Sequence, residues 1–96
     1  MTDLVDSYIH YLRVEKGLSK NTLEAYSRDL HTFSEYWGER GLEEFGRRDV
    51  VGFSRYLAER GLSPRSIQRA LIALRGFFRF LTLEGILEED PLEDVS

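Results

Sequence analysis

The chain of 96 residues has room for one domain, and its 42% hydrophobic and 12% aromatic content can fill a core, which argues against disorder. Charged residues make up 31% of the sequence, and the formal net charge of −4 argues against a general nucleic-acid binder. Because the sequence has no cysteine, no apolar run of roughly 18 residues and acids near its start, we expect a cytoplasmic protein without disulfides, secretion signal or membrane partner.

Apolar residues recur at helical spacing along most of the chain and predict helices joined by short turns. The predicted bounds are about 3–16, 20–37, 47–60 and 64–83, with a short helical turn at 86–89. Thr2, Ser19 and Ser63 are the predicted N-caps. Pro64 suits the first position of the fourth helix, and Gly17 suits a left-handed stop after the first.

No stretch alternates with a period of two, so no sheet is expected. The predicted fold is therefore all-α, a small orthogonal bundle of four main helices plus the short C-terminal helical turn, with residues 1–96 forming one domain. The apolar stripes of the four helices make the predicted core: Val5, Tyr8, Ile9, Leu12, Leu23, Tyr26, Leu30, Phe33, Trp37, Val50, Phe53, Leu57, Ile67, Ala70, Leu71, Leu74, Phe77, Phe78 and Leu81.

The sequence also contains a short internal repeat. Gly17-Leu18-Ser19 recurs 44 residues later as Gly61-Leu62-Ser63, each time after one predicted helix and before the next. The repeat indicates two helix–turn–helix hairpins packed together. Duplication of one hairpin explains it, and so does the same turn chemistry at the ends of two unrelated helices, and both explanations stay open.

Charge is distributed unevenly along the chain. Segment 63–81 contains four arginines and no acid, whereas segment 82–96 contains six acids and no base. On a helical wheel, one arc of about 120° opposite the apolar face holds Arg65, Arg69, Arg75 and Arg79. This basic stripe suits a polyanion, because guanidinium groups bind phosphate bidentately and a helix fits the major groove of DNA. A solvated arginine face that the acidic tail neutralises is an equally open interpretation.

The polar face of the second helix supports DNA binding only in combination with the fourth. This face is predicted to hold Asn21, Glu24, Ala25, Arg28, His31 and Thr32. Amide, hydroxyl and guanidinium groups contact phosphates and base edges readily, and the small Ala25 would permit close approach. Taken alone, the face is more typical of an ordinary exposed surface.

Several segments resemble the signature of Xer-type tyrosine recombinases. The first is LSKNTLEAYSRDL at 18–30, and the second consists of 62–67 followed by ALRGFFRFL at 73–81. Residues 84–86 and 90–91 resemble the exit from the N-terminal domain of this family. The resemblance covers nearly the whole chain. It implies a SAM-like helical fold that forms half of a clamp around a duplex DNA recombination site, with a catalytic domain following it.

The resemblance also implies where DNA is contacted, because the second and fourth helices of such domains face the major groove. On the second helix, contacts to backbone or groove are implied for Asn21, Thr22 and Arg28. On the fourth helix, groove contacts are implied for Arg65, Ser66 and Arg69, and contacts to flanking phosphates for Arg75 and Arg79. The other implied partners are recombinase protomers in a tetramer on paired sites. Chromosome-dimer resolution and phage or transposon integration both stay open.

The strand-cutting chemistry of such recombinases is not expected within this chain, which we do not expect to be an enzyme by itself. His10 and Arg13 match a His-x-x-Arg pattern but lie in the first helix, and no tyrosine has flanking arginines that would stabilise an attacked phosphodiester. His10 and His31 lack further ligands and there is no glycine-rich phosphate loop, so no metal, cofactor or small-molecule ligand is expected. The alternative function is a stand-alone helical module that binds proteins through an apolar groove.

Overall fold

The computed structural model describes residues 1–95, within which four α-helices follow one another and no strand occurs. The helices are α1 (Thr2–Glu15), α2 (Lys20–Trp37), α3 (Arg47–Glu59) and α4 (Pro64–Leu83), with a 3₁₀ turn at Leu42–Glu44. The all-α class is confirmed, and the bounds of α2 and α4 coincide with the predicted ones. Among the described residues, no helix is both long enough and apolar enough to cross a membrane.

Serine caps fix the starts of both α2 and α4. The backbone N–H of Thr22 donates to Ser19 Oγ at 3.2 Å, and the N–H of Ser66 donates to Ser63 Oγ at 3.2 Å. Each bond satisfies one of the N–H groups that a helix start leaves without an intrahelical partner. The repeated sequence therefore produces the same cap twice, which both explanations of the repeat allow.

The ends of α1 differ in how well the sequence predicts them. The prediction of Thr2 as N-cap is wrong, because the N–H groups of Leu4 and Val5 donate to the carbonyl of Met1, at 3.0 and 3.1 Å, and Thr2 is already helical. The helix stops as expected at Gly17, whose φ of 61° lies in the left-handed region that favours glycine.

Helix α4 is the central element, because it packs against α1, α2 and α3. Where α2, α3 and α4 meet, the ring of Phe33 lies edge-on to Phe45, Phe53 and Phe78, with centroids 5.0, 5.4 and 6.0 Å away. Edge-to-face packing of this kind adds to the stabilisation from burial. Phe45 is fully buried although it follows the 3₁₀ turn, outside every periodic segment, and it was not among the predicted core residues. The predicted core is buried apart from five half-buried residues at its edge: Ile9, Tyr26, Val50, Ile67 and Leu71.

The C-terminal segment, residues 84–95, folds back onto the bundle. Gly85 has a φ of 76°, and the next two N–H groups both donate to the carbonyl of Leu81. This reversal leaves only bends at 86–89, so the predicted C-terminal turn forms later, at 91–94. Two buried side chains anchor the segment: Leu87 and Leu92.

Candidate nucleic-acid interface

The start of α2 presents polar groups to solvent beside its serine cap. Asn21 is exposed in the first turn, and Arg28 is exposed two turns further along. Thr22 is half-buried, and its hydroxyl oxygen accepts a hydrogen bond from Ser19 Oγ at 3.0 Å. The amide and the guanidinium group are therefore free to contact a ligand, whereas the Thr22 side chain also belongs to the cap.

The start of α4 repeats this arrangement. Arg65 is exposed in the first turn, and Ser66 is half-buried with its hydroxyl oxygen accepting from Ser63 Oγ at 3.2 Å. The positive end of a helix dipole lies at each of the two helix starts and favours anions there. Both starts thus combine a favourable backbone field with at least one exposed hydrogen-bond donor.

The predicted contact residue Arg69 is held by a carboxylate. Its Nε and one Nη donate to the two carboxylate oxygens of Asp29 on α2, each at 2.8 Å. Asp29 is only 5% exposed, whereas the Arg69 side chain is 35% exposed. The hydrogen bond to Asp29 raises the pKa of the Arg69 guanidinium. The pair bridges the middle of α2 to the second turn of α4.

The bridge between Asp29 and Arg69 was not predicted from the sequence. Asp29 is the one charged side chain among residues 1–95 that is buried, and its partner lies 40 residues away. Ala25 lies four residues earlier on the same face of α2, and the prediction that it is exposed is wrong, because its exposed fraction is 9%. A helical wheel of one helix cannot show which polar face turns towards a neighbouring helix, so the wheel could reveal neither the burial of Ala25 nor that of Asp29.

The other two arginines of the predicted stripe lie against the C-terminal segment. Arg75 is half-buried and Arg79 is exposed, and both line a cleft that the segment closes on its other side. That side carries the acids of the segment: Glu88, Glu89, Asp90, Glu93 and Asp94. Within residues 1–95, no arginine of this cleft comes within 4.0 Å of a carboxylate oxygen. No acid interrupts the stripe within α4, as the sequence shows, but acids from two other parts of the chain adjoin it.

A second depression, between α2 and α4, brings several charged groups together. We call it the α2–α4 depression. Its charged and ionisable lining residues are Glu24, Arg28, Asp29, His31, Arg60 and Arg69. Arg60 follows directly after α3 and did not appear among the predicted site residues. The depression therefore joins the basic residues of α2 and α4 to one that periodicity alone does not connect with them.

The structure also shows the surroundings of the histidine, arginine and tyrosine side chains that were considered for catalysis or metal binding. Arg13 Nη and His10 Nδ1 lie 3.0 Å apart on the exposed face of α1. Within residues 1–95, no cluster of three or more His, Cys, Asp or Glu side chains could hold a metal ion. Tyr8 is 4% exposed, and burial raises its pKa above the ordinary range, which makes its phenol a weaker nucleophile at neutral pH.

Comparison with known proteins gives a family match over most of the chain. The model of the phage integrase N-terminal SAM-like domain matches residues 5–85. No solved structure was found to match the sequence.

Three curated relatives illustrate the range of similarity. Tyrosine recombinase XerD of Listeria innocua is 45% identical over 100 aligned positions, which cover 100% of this chain and 34% of the relative. Tyrosine recombinase XerD of Pseudomonas aeruginosa is 40% identical over 95 positions, covering 97% of this chain and 32% of the relative. Tyrosine recombinase XerC of Oceanobacillus iheyensis is 37% identical over 90 positions, covering 91% and 30%. The chain thus spans about a third of the length of these relatives.

Proposed function

Since the chain belongs to the family of phage integrase N-terminal SAM-like domains, we propose that it binds duplex DNA as one half of the clamp of a site-specific tyrosine recombinase. The Xer relatives confirm the resemblance drawn from the sequence. The observation that carries the proposal is that Arg28 of α2 and Arg69 of α4 line one depression, and that both helices begin at a serine cap. Guanidinium groups and helix N-termini both suit a phosphate backbone.

The proposed contacts follow the two helices. On α2, the contacts to backbone or groove are Asn21, Thr22 and Arg28. On α4, the groove contacts are Arg65, Ser66 and Arg69, and the contacts to flanking phosphates are Arg75 and Arg79. For the last two, the acids of the C-terminal segment lie nearby and oppose an approaching phosphate, so these contacts depend on the position of that segment.

The proposal extends to the recombinase as a whole. The cutting and rejoining of DNA strands would belong to a catalytic domain outside this chain, and other recombinase protomers would bind the paired sites as a tetramer. The protein would act in the cytoplasm, and the DNA-binding role needs neither a metal nor a cofactor. These statements rest on the relatives being tyrosine recombinases by name and on this chain matching about a third of their length.

Fluorescence anisotropy of a labelled duplex of mixed sequence tests the DNA-binding role. Arg28→Ala and Arg65→Ala should each weaken binding at low salt. Each should also reduce the slope of log K against log salt concentration by roughly one, as expected for a lost phosphate contact. Arg55→Ala is the matched control, because Arg55 is an exposed arginine of α3 that does not line the α2–α4 depression. Equal effects of all three substitutions would mean that DNA responds to total charge, and this interface would then be excluded.

One observation favours the alternative, a helical protein-interaction module. Val14 is 60% exposed and lines a shallow depression with Tyr11 and Phe80, which an apolar side chain of a partner could fill. Binding through this depression would weaken on Val14→Asp and depend little on salt. DNA binding would be unaffected by that substitution and would weaken steeply as salt rises.

A further inference from the structure

The α2–α4 depression holds three arginines from three different helical segments. Arg28 comes from α2, Arg60 caps the C-terminal end of α3, and Arg69 comes from α4. The carboxylates on the same lining are Glu24 and Asp29. Since Asp29 is already bonded to Arg69, Glu24 is the one acid there without an arginine partner within 4.0 Å among residues 1–95. The depression thus has an excess of positive charge concentrated in a concave surface.

Asp29 fixes the orientation of Arg69. Its two oxygens accept from Nε and one Nη, so the plane of the guanidinium group is set by two bonds of 2.8 Å. A guanidinium group has five N–H donors, and those not bonded to Asp29 remain for a ligand. Because the side chain is 35% exposed, these donors are reachable from solvent. A donor group already held in one geometry loses less conformational entropy when a ligand binds.

The neighbouring groups are also held in place by internal bonds. Nη1 of Arg60 donates to Tyr56 Oη at 3.0 Å, which leaves its other N–H donors free. His31 Nδ1 donates to the carbonyl of Ser27 at 2.7 Å, because a carbonyl can only accept. The hydroxyl of Thr32 donates back to a main-chain carbonyl of α2 at 3.0 Å. The donors left over in the depression are therefore mainly those of the three arginines.

We propose that the α2–α4 depression binds one backbone phosphate of DNA, with Arg69 as the central contact, Arg28 and Arg60 as flanking contacts, and Asp29 as the residue that positions Arg69. The DNA source of the phosphate rests on the proposed function. The proposal adds Arg60 to the contact residues and gives an acidic side chain a favourable role in anion binding. It also revises the groove contact proposed above for Arg69, which now contacts the DNA backbone rather than a base, so the loss of Arg69 weakens binding to all sequences alike.

Two single-charge substitutions in the depression should have opposite effects. Glu24→Gln removes an exposed carboxylate and should strengthen binding of a mixed-sequence duplex about two- to fivefold at low salt. Asp29→Asn also removes one negative charge, but it loosens Arg69 and should weaken binding by roughly tenfold. Strengthening by both substitutions to a similar degree would overturn the proposal, since Asp29 would then act on the ligand only through its charge. Circular dichroism and thermal melting establish that each variant is folded.

Arg69→Lys decides the matter if Asp29→Asn does not fold. This substitution keeps the positive charge but loses the planar guanidinium group that can bond both Asp29 and a phosphate. It should therefore also weaken binding of the duplex roughly tenfold. Unchanged affinity of this variant would overturn the proposal while leaving DNA binding by the domain intact.

Inorganic phosphate separates the anion site from the DNA role. In protein labelled with ¹⁵N, added phosphate should shift the Nε–H signals of Arg28, Arg60 and Arg69, and Asp29→Asn or Arg69→Lys should reduce the shifts of the other arginines. If neither the wild type nor any variant binds the duplex, yet phosphate causes these shifts, the phosphate site is supported and the proposed function fails. If the three signals do not move in phosphate and the duplex affinities of the variants match the wild type, the site is refuted.

Discussion

The close approach of α1 to α4 predicts a strong coupling between Gly76 and Tyr8. A β-carbon placed on Gly76 would overlap the Tyr8 hydroxyl oxygen and lie 3.3 Å from the ring carbon that carries it. The Tyr8 ring is 4% exposed, and its centroid lies 5.7 Å from that of Phe77 and 5.4 Å from that of Phe80. Because Phe77 and Phe80 pack against the buried ring, its displacement is costly, so Gly76→Ala should disturb the contact between α1 and α4.

The size of the effect follows from two opposing contributions. Overpacking of a closed site costs about 1–3 kcal/mol, whereas alanine in place of glycine within a helix stabilises by about 1 kcal/mol. The free energy of unfolding should therefore fall by up to about 2 kcal/mol in Gly76→Ala. Removing the hydroxyl oxygen with Tyr8→Phe leaves 3.3 Å as the closest approach, which small shifts can accommodate. The double variant should then be at least as stable as Tyr8→Phe alone.

Urea unfolding followed by circular dichroism measures these differences, provided that the free energy of unfolding depends on urea concentration with the same slope in all variants. The wild type, the two single variants and the double variant form a double-mutant cycle, and we expect a coupling free energy of about 1–3 kcal/mol. A coupling free energy near zero would contradict the packing of Tyr8 against Gly76.

Further predictions concern the caps, the alkaline range and the C-terminal segment. Ser19→Ala and Ser63→Ala should each lower the free energy of unfolding by about 1 kcal/mol in urea titrations, because each removes a bond to a first-turn N–H. Burial raises the pKa of Tyr8 above its ordinary 10.0. Above about pH 10 the phenol therefore loses its proton in the unfolded chain but keeps it in the folded protein, so the free energy of unfolding falls as the pH rises. Thermal melts should show a shallower loss in Tyr8→Phe. Changing the four acids Glu88, Glu89, Glu93 and Asp94 to amides should strengthen duplex binding about threefold at low salt and hardly at all at high salt, as anisotropy can measure.

The elements that the sequence predicts best are those with a local physical cause. The bounds of α2 and α4 were predicted correctly because Ser19 and Ser63 bond their own first turns and Pro64 suits a helix start. The stop at Gly17 is local in the same sense. Each of these signals involves residues no more than a few positions apart, so no knowledge of tertiary packing is needed to read them.

The features that the sequence did not predict depend on packing between distant segments. Phe45 is buried because three aromatic rings from α2 and α4 surround it, although it belongs to no periodic stretch. Asp29 and Arg69 meet only because α2 crosses α4, and each looks like an exposed residue on its own helix. The C-terminal segment reaches the arginines Arg75 and Arg79 only because buried leucines anchor it. The charge balance around the predicted contact residues therefore could not be predicted from the sequence.

Chemical-shift mapping with duplex DNA tests the central claim most directly. We would titrate a short duplex into ¹⁵N-labelled protein at low salt and follow the backbone amide signals, which report weak binding and locate it. The proposed function predicts shifts concentrated at 21–28 and 63–69, at the starts of α2 and α4. Shifts spread evenly over the surface, shifts confined to α3, or no shifts at low salt would contradict it.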